Sequence, residues 1–136
     1  MTHKDAGKKF QQKLEKLNDY LADNKWISAY YADTTVVDDE LINFKSTKPD
    51  YTIKFKPLSN GLLKAIEIEK EDGEINREVY IGSVQPRSGT FELRGVETGD
   101  IVNGIIDFKN NSLSIQEFRP EELGFEINYL IAASSL

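Results

Sequence analysis

Residues 62–82 read LLKAIEIEKEDGEINREVYIG, two alternating segments that meet at Asp72-Gly73. A two-residue hairpin turn needs positive φ at its central residues, and Asp-Gly accepts that conformation readily. With Asp72 and Gly73 as the loop, Ile66 faces Val79, Ile68 faces Arg77, Lys70 faces Ile75 and Lys64 faces Ile81. This register gathers Ile66, Ile68, Ile75, Val79 and Ile81 on one side of the ladder, so turn chemistry and patterning agree. The apolar side is expected to meet the core. The other side, with Ala65, Glu67, Glu69, Glu78 and Tyr80, is then expected to meet water.

Period two continues outward in both directions. Upstream, Tyr51–Lys56 is apolar at odd positions, Leu41–Phe44 is a short strand, and Trp26–Tyr31 begins a strand that runs on through Val37. Its aromatic and β-branched composition suits a pleated surface. Downstream come Thr90–Arg94, then Ile101–Phe108 and Leu113–Phe118 as a second hairpin around Asn110-Asn111, then Phe125–Ile131. Pairing about Asn110-Asn111 puts Phe108 opposite Leu113 and Ile106 opposite Ile115. Residues 83–89 read as a loop, and 119–124 as a single helical turn with Pro120 early and Gly124 after it. Only residues 5–23 carry a helical period: Phe10, Leu14, Leu17 and Leu21 form one stripe, and Asn24 suits the position just past the helix end.

Strands joined by turns, with no crossover helix between them, must pair antiparallel. The expected fold is therefore α+β, mainly β, in a single domain over residues 1–136. A helix at 5–23 precedes an antiparallel meander of about eight short strands over 26–131, closed or curled into a barrel, with a two-sheet sandwich as the alternative. A helical segment followed by Trp26 at the start of the first strand resembles the lipocalin-like (calycin) group. The resemblance implies an antiparallel barrel holding a ligand. The chain departs from that pattern at position 24, which is Asn where the group places glycine two residues before the tryptophan.

The composition excludes several chemistries. There is no cysteine, which removes disulfides, thiolate catalysis and iron–sulfur ligation, and the one histidine, His3, sits in a terminus prone to fraying. Ser-His-acid triads and His-ligated metals are not expected, and neither is any cofactor. The net charge is −6: residues 1–25 hold six lysines against four acids, while the remainder holds eleven Lys and Arg against nineteen acids. An acidic body repels phosphate backbones, so a nucleic-acid partner is not expected. The polar N-terminus and the lack of a long apolar run point to a cytoplasmic protein without membrane contact.

Two sets of residues merit attention as a site. Trp26, Tyr30, Tyr31 and Tyr80 could line an apolar pocket with hydroxyls fixing orientation, and Arg87 and Arg94 could hold an anion or a protein partner. Glu67 opposite Glu78, with Glu69 beside them, forms a possible acidic site, because like charges directly across a ladder are unfavourable unless solvated or bridged. A second acidic run, Asp33 with Asp38, Asp39 and Glu40, lacks the spacing of a calcium loop and reads as a charged turn, so no metal site is expected. The leading expectation is a non-enzymatic binding protein with a pocket for a small or partner-derived apolar group. The alternative is a small acidic protein–protein interaction module without an internal cavity. A carboxylate enzyme would require Glu67, Glu69 or Glu78 inside a cleft with a raised pKa.

Overall fold

The structure is a computed structural model that describes residues 3–37, 40–46, 50–119 and 124–135, with side chains described over 6–29, 50–70, 72–117 and 126–134. Helix α1 (His3–Ala22) precedes nine strands: β1 (Lys25–Val37), β2 (Glu40–Ser46), β3 (Tyr51–Pro57), β4 (Leu63–Glu71), β5 (Glu74–Gln85), β6 (Thr90–Gly95), β7 (Ile101–Asp107), β8 (Ser112–Arg119) and β9 (Gly124–Ala132). The meander runs from β3 to β9, each strand pairing with the next, and β1 closes the ring by pairing with β9 on one side and β3 on the other. The result is a closed eight-stranded antiparallel barrel, and closure removes the sheet edges an open meander would expose. Strand β2 is the ninth. It pairs with the far half of β1, Tyr31–Val37, after β3 has paired with Lys25–Ile27.

The hairpin read first forms as its turn chemistry dictates. Asp72 (φ 51°) and Gly73 (φ 81°) are both left-handed, and Ile66↔Val79, Ile68↔Arg77, Lys70↔Ile75 and Lys64↔Ile81 pair as expected. The sidedness is reversed. Leu63, Ala65, Tyr80 and Val84 are buried in the barrel, whereas Ile66, Ile68 and Val79 are half-buried and Ile75 is 67% exposed. Last-strand β9 shows the same reversal: Glu126, Asn128, Leu130 and Ala132 are buried, and Ile127 lies outside. Alternation identifies two faces but not which one is concave, and β-branched residues also suit an outer pleated surface. In β3 and β6 the expected faces hold, with Tyr51, Ile53, Phe55, Phe91 and Leu93 inside.

The second hairpin shifts by two residues. Ile106 pairs with Leu113 and Gly104 with Ile115, so Phe108 belongs to a longer turn rather than to the ladder. Asp107 organises that turn, accepting from the Asn110 backbone N–H at 3.3 Å and from Asn110 Nδ2 at 2.7 Å, while Asn111 takes φ 48°. An even shift preserves faces, so the inward set Ile106, Leu113 and Ile115 survives it. The expected loop at 83–89 is likewise shorter, because β5 continues to Gln85. The expected helical turn at 119–124 lies, for residues 120–123, outside the described residues.

Helix α1 lies across one end of the barrel. Leu17 and Leu21 join the core, and Leu14 is half-buried against it. Trp26 is fully buried and its indole N–H donates to the Leu21 carbonyl at 3.0 Å, which ties the last helical turn to the first strand. Asn24 caps the helix with its side chain, Nδ2 donating to the Tyr20 carbonyl at 3.0 Å. Tyr20 then reaches the β7–β8 turn, its hydroxyl donating to Asn111 Oδ1 at 2.9 Å. Behind this cap the described inward side chains form one packed cluster. Phe55 and Phe91 meet edge-to-face at 5.8 Å, and the Phe91 ring lies over Gly104, where a Cβ would come within 2.0 Å of it. Among the described residues, no helix is long and apolar enough to cross a membrane.

Candidate functional site

The other end of the barrel is open and lies beside the β4–β5 and β6–β7 turns. Here the inward-facing positions change from apolar to acidic. Along β4 they run Leu63, Ala65, Glu67, Glu69, and along β9, read in reverse, Ala132, Leu130, Asn128, Glu126. A recess of about 390 Å³ results, lined chiefly by Tyr51, Glu67, Glu69, Glu78, Glu117, Glu126 and Asn128, with Asn76, Arg77, Glu97, Thr98 and Asp100 at its rim.

Strand pairing positions these acids. Glu67 pairs with Glu78 across β4 and β5, and Glu117 pairs with Glu126 across β8 and β9. Each Tyr and Asn partner comes from the same geometry: Tyr51 pairs with Glu69, and Asn128 lies one inward position deeper than Glu126. The Tyr51 hydroxyl donates to Glu67 Oε2 at 2.5 Å, and the Thr98 hydroxyl donates to Glu78 Oε1 at 2.7 Å. Burial raises the Glu67 carboxyl from its ordinary 4.5 to about 7; the Tyr51 hydrogen bond opposes that rise, and the charges of Glu117, Glu78 and Glu69 add to it. The Tyr51 and Tyr80 hydroxyls are both held well above their ordinary range, first by burial and then by Glu67. Asn128 is only 5% exposed, and its Oδ1 finds no hydrogen-bond donor. A buried acceptor without a donor is unfavourable by about 1–3 kcal/mol.

The site residues expected from sequence are thus divided. Glu67, Glu69, Glu78 and Tyr80 come together inside the barrel, contrary to the expectation that their face meets water. Trp26 belongs to the packed end, where its polar atom is already bonded. Tyr30 pairs with Tyr129 and Tyr31 with Asn128 along the β1–β9 ladder, across a register shift between Ser28 and Tyr30. Arg87 is exposed in the β5–β6 turn at the capped end, and Arg94 lies outside the barrel. Among the described residues the structure does not bring either arginine to the recess. Asp33 pairs with Glu126, and its side chain, like those of Asp38, Asp39 and Glu40, lies outside the described set.

Sequence reading missed Glu117, Glu126 and Asn128. For the two acids the signal was present: each stands at an inward position of β8 or β9, and they pair with each other as Glu67 and Glu78 do. It required knowing that β8–β9 face β4–β5 across a closed ring. A second concavity, a shallow outer trough of about 960 Å³ over β5–β9, carries Ile81, Ile105 and Ile127 with Glu92 and Arg94. Among the described residues, no group of three or more His, Asp or Glu side chains is arranged to hold a metal ion. No protein-family model matches the chain, and no curated protein matches it.

Proposed function

We propose that the protein is a binding protein whose open barrel end receives a positively charged group of a small molecule. An eight-stranded barrel is compatible with a binding role. The observation that carries the reading is the pairing of Glu67 with Glu78 across one ladder, both lining a recess where the buried Asn128 Oδ1 lacks a donor. Carboxylates crowded in a partly buried site repel one another, and a bound cation both relieves that repulsion and supplies donors. Among the described residues, Trp26, Phe55, Phe91 and Leu130 pack the interior at the capped end, so the open end is the better place for a ligand. Native mass spectrometry of the protein purified from its own host tests the reading. A retained small cation, lost from the Glu67→Gln/Glu78→Gln double variant, supports it; a retained anion, or retention unaffected by that variant, overturns it.

Two other readings each have an observation behind them. Glu67, titrating near 7 with Tyr51 hydrogen-bonded to it, meets the condition set for a proton-transfer enzyme. Recovery of a chemically altered ligand after incubation would favour that role over binding. The outer trough, with Ile105 58% exposed, favours an interaction module, and a retained protein mass in the same spectrum would select it.

A further inference from the structure

We infer that the outer trough over β5–β9 is a two-fold interface for a second copy of this chain, with Glu92 of each copy paired to Arg94 of the other. This goes beyond the cation-binding reading and does not depend on it. Among the described residues that line the trough, Glu92 and Arg94 alone are charged, one of each sign. The rest of its polar lining is neutral: Ser83, Gln85, Thr90, Asn103, Ser114 and Gln116. Among these stand Ile81, Ile105 and Ile127, which are 38%, 58% and 36% exposed. The outer faces of β3 and β4 are different, carrying Lys54, Lys56, Lys64 and Lys70. In a chain of net charge −6, with 29% of its residues charged, so neutral a face is a departure. Depletion of charge around exposed apolar side chains is the compositional mark of a protein interface.

The two charged residues specify the occupant. Glu92 and Arg94 are two apart on β6, so they share its outward face, about 7 Å from each other, with Leu93 pointing into the core between them. Both are exposed, and neither has an ion-pair partner among the described residues. A two-fold axis lying in the interface, across the strands and level with Leu93, reverses the strand direction. It therefore sets each Glu92 over the other copy's Arg94. The patch is complementary to itself, as an interface between identical surfaces requires. Two acidic bodies repel one another, whereas this face brings them together with two ion pairs and no net charge. Five strands about 4.8 Å apart, with about five residues of 3.3 Å each, make a face of roughly 400 Å² in projection. With the relief of the side chains counted, two such faces bury about 1,000 Å², the lower limit for a specific interface, so the dimer is weak and reversible.

The test is sedimentation velocity of the full chain from about 10 μM to about 1 mM, a span that covers weak dimers. The wild-type protein is expected to pass from monomer to dimer as its concentration rises. Arg94→Glu and Glu92→Arg each place like charges across the two-fold axis, and each is expected to weaken dimerisation at least tenfold. An equimolar mixture of the two variants restores opposite charges at both contacts and is expected to dimerise at least tenfold better than either variant alone. Both side chains are exposed, so circular dichroism is expected to show each variant folded. A wild-type chain that stays monomeric over the whole range overturns the inference. A dimer that both variants leave intact also overturns it, because the contact then lies on another face. A mixture that dimerises no better than its components overturns the pairing of Glu92 with Arg94 and with it the two-fold arrangement.

Discussion

Glu67 makes the position of the acidic face measurable through folding stability. In the native protein its carboxyl titrates near 7, against an ordinary value of 4.5 that applies when the chain is unfolded. The groups that face it are Tyr51 from β3, Glu69 on its own strand, Glu78 from β5 and Glu117 from β8. Because the folded value is raised, the native state holds a proton that the unfolded state has already released between about pH 4.5 and pH 7. Stability from this group is therefore intact below about 4.5, falls as pH rises through that window, and stays low above 7. At about 1.4 kcal/mol per pH unit, the full penalty is about 3 kcal/mol. Glutamine at this position keeps an acceptor for the Tyr51 hydroxyl but carries no charge. Urea unfolding of wild type and Glu67→Gln across pH 4–8.5 isolates the group, since every other titrating residue is common to both. The variant is expected to match wild type near pH 4.5 within about 1 kcal/mol and to exceed it by about 2–3 kcal/mol at pH 8. A difference that stays flat with pH would refute the burial of Glu67 in the mouth. So would a variant less stable than wild type at pH 8.

Other changes probe the remaining parts of the fold. Ile75→Thr, on the outer side of the first hairpin, is expected to alter stability by less than about 0.5 kcal/mol, whereas Leu63→Ala on the inner side costs about 3 kcal/mol; comparable losses in urea unfolding would reverse the sidedness. Leu21→Ala removes a fully buried side chain beneath the helix cap and is expected to cost about 3 kcal/mol, with the fluorescence of Trp26, bonded to the Leu21 carbonyl, reporting the transition. Gly104→Ala drives a methyl group into the Phe91 ring and is expected to cost about 1–3 kcal/mol. Adding Phe91→Leu to Gly104→Ala should recover part of that loss, and a strictly additive double variant would disprove the contact.

The sequence by itself determined the antiparallel meander, the N-terminal helix and the register of the first hairpin, because these are local consequences of turn chemistry and periodicity. Asp72-Gly73 needs no tertiary partner to prefer the left-handed conformation, and once it turns, Ile66 must pair with Val79. The shifted second hairpin shows the limit of such reasoning, since Asp107 rather than Asn110-Asn111 sets where that ladder ends. Only closure decided which face is inside. A strand of a barrel is polar or apolar according to depth as well as side, and β4 passes from Leu63 in the packed end to Glu67 and Glu69 in the wet one. Averaged over the strand, that face looks less hydrophobic than its outer neighbour, and alternation alone assigns it to solvent. Closure also brings Glu117 and Glu126 to the wall facing Glu67 and Glu78, some 40 to 60 residues away along the chain. The candidate site exists only in the assembled ring, because its two halves lie on ladders that no local rule relates.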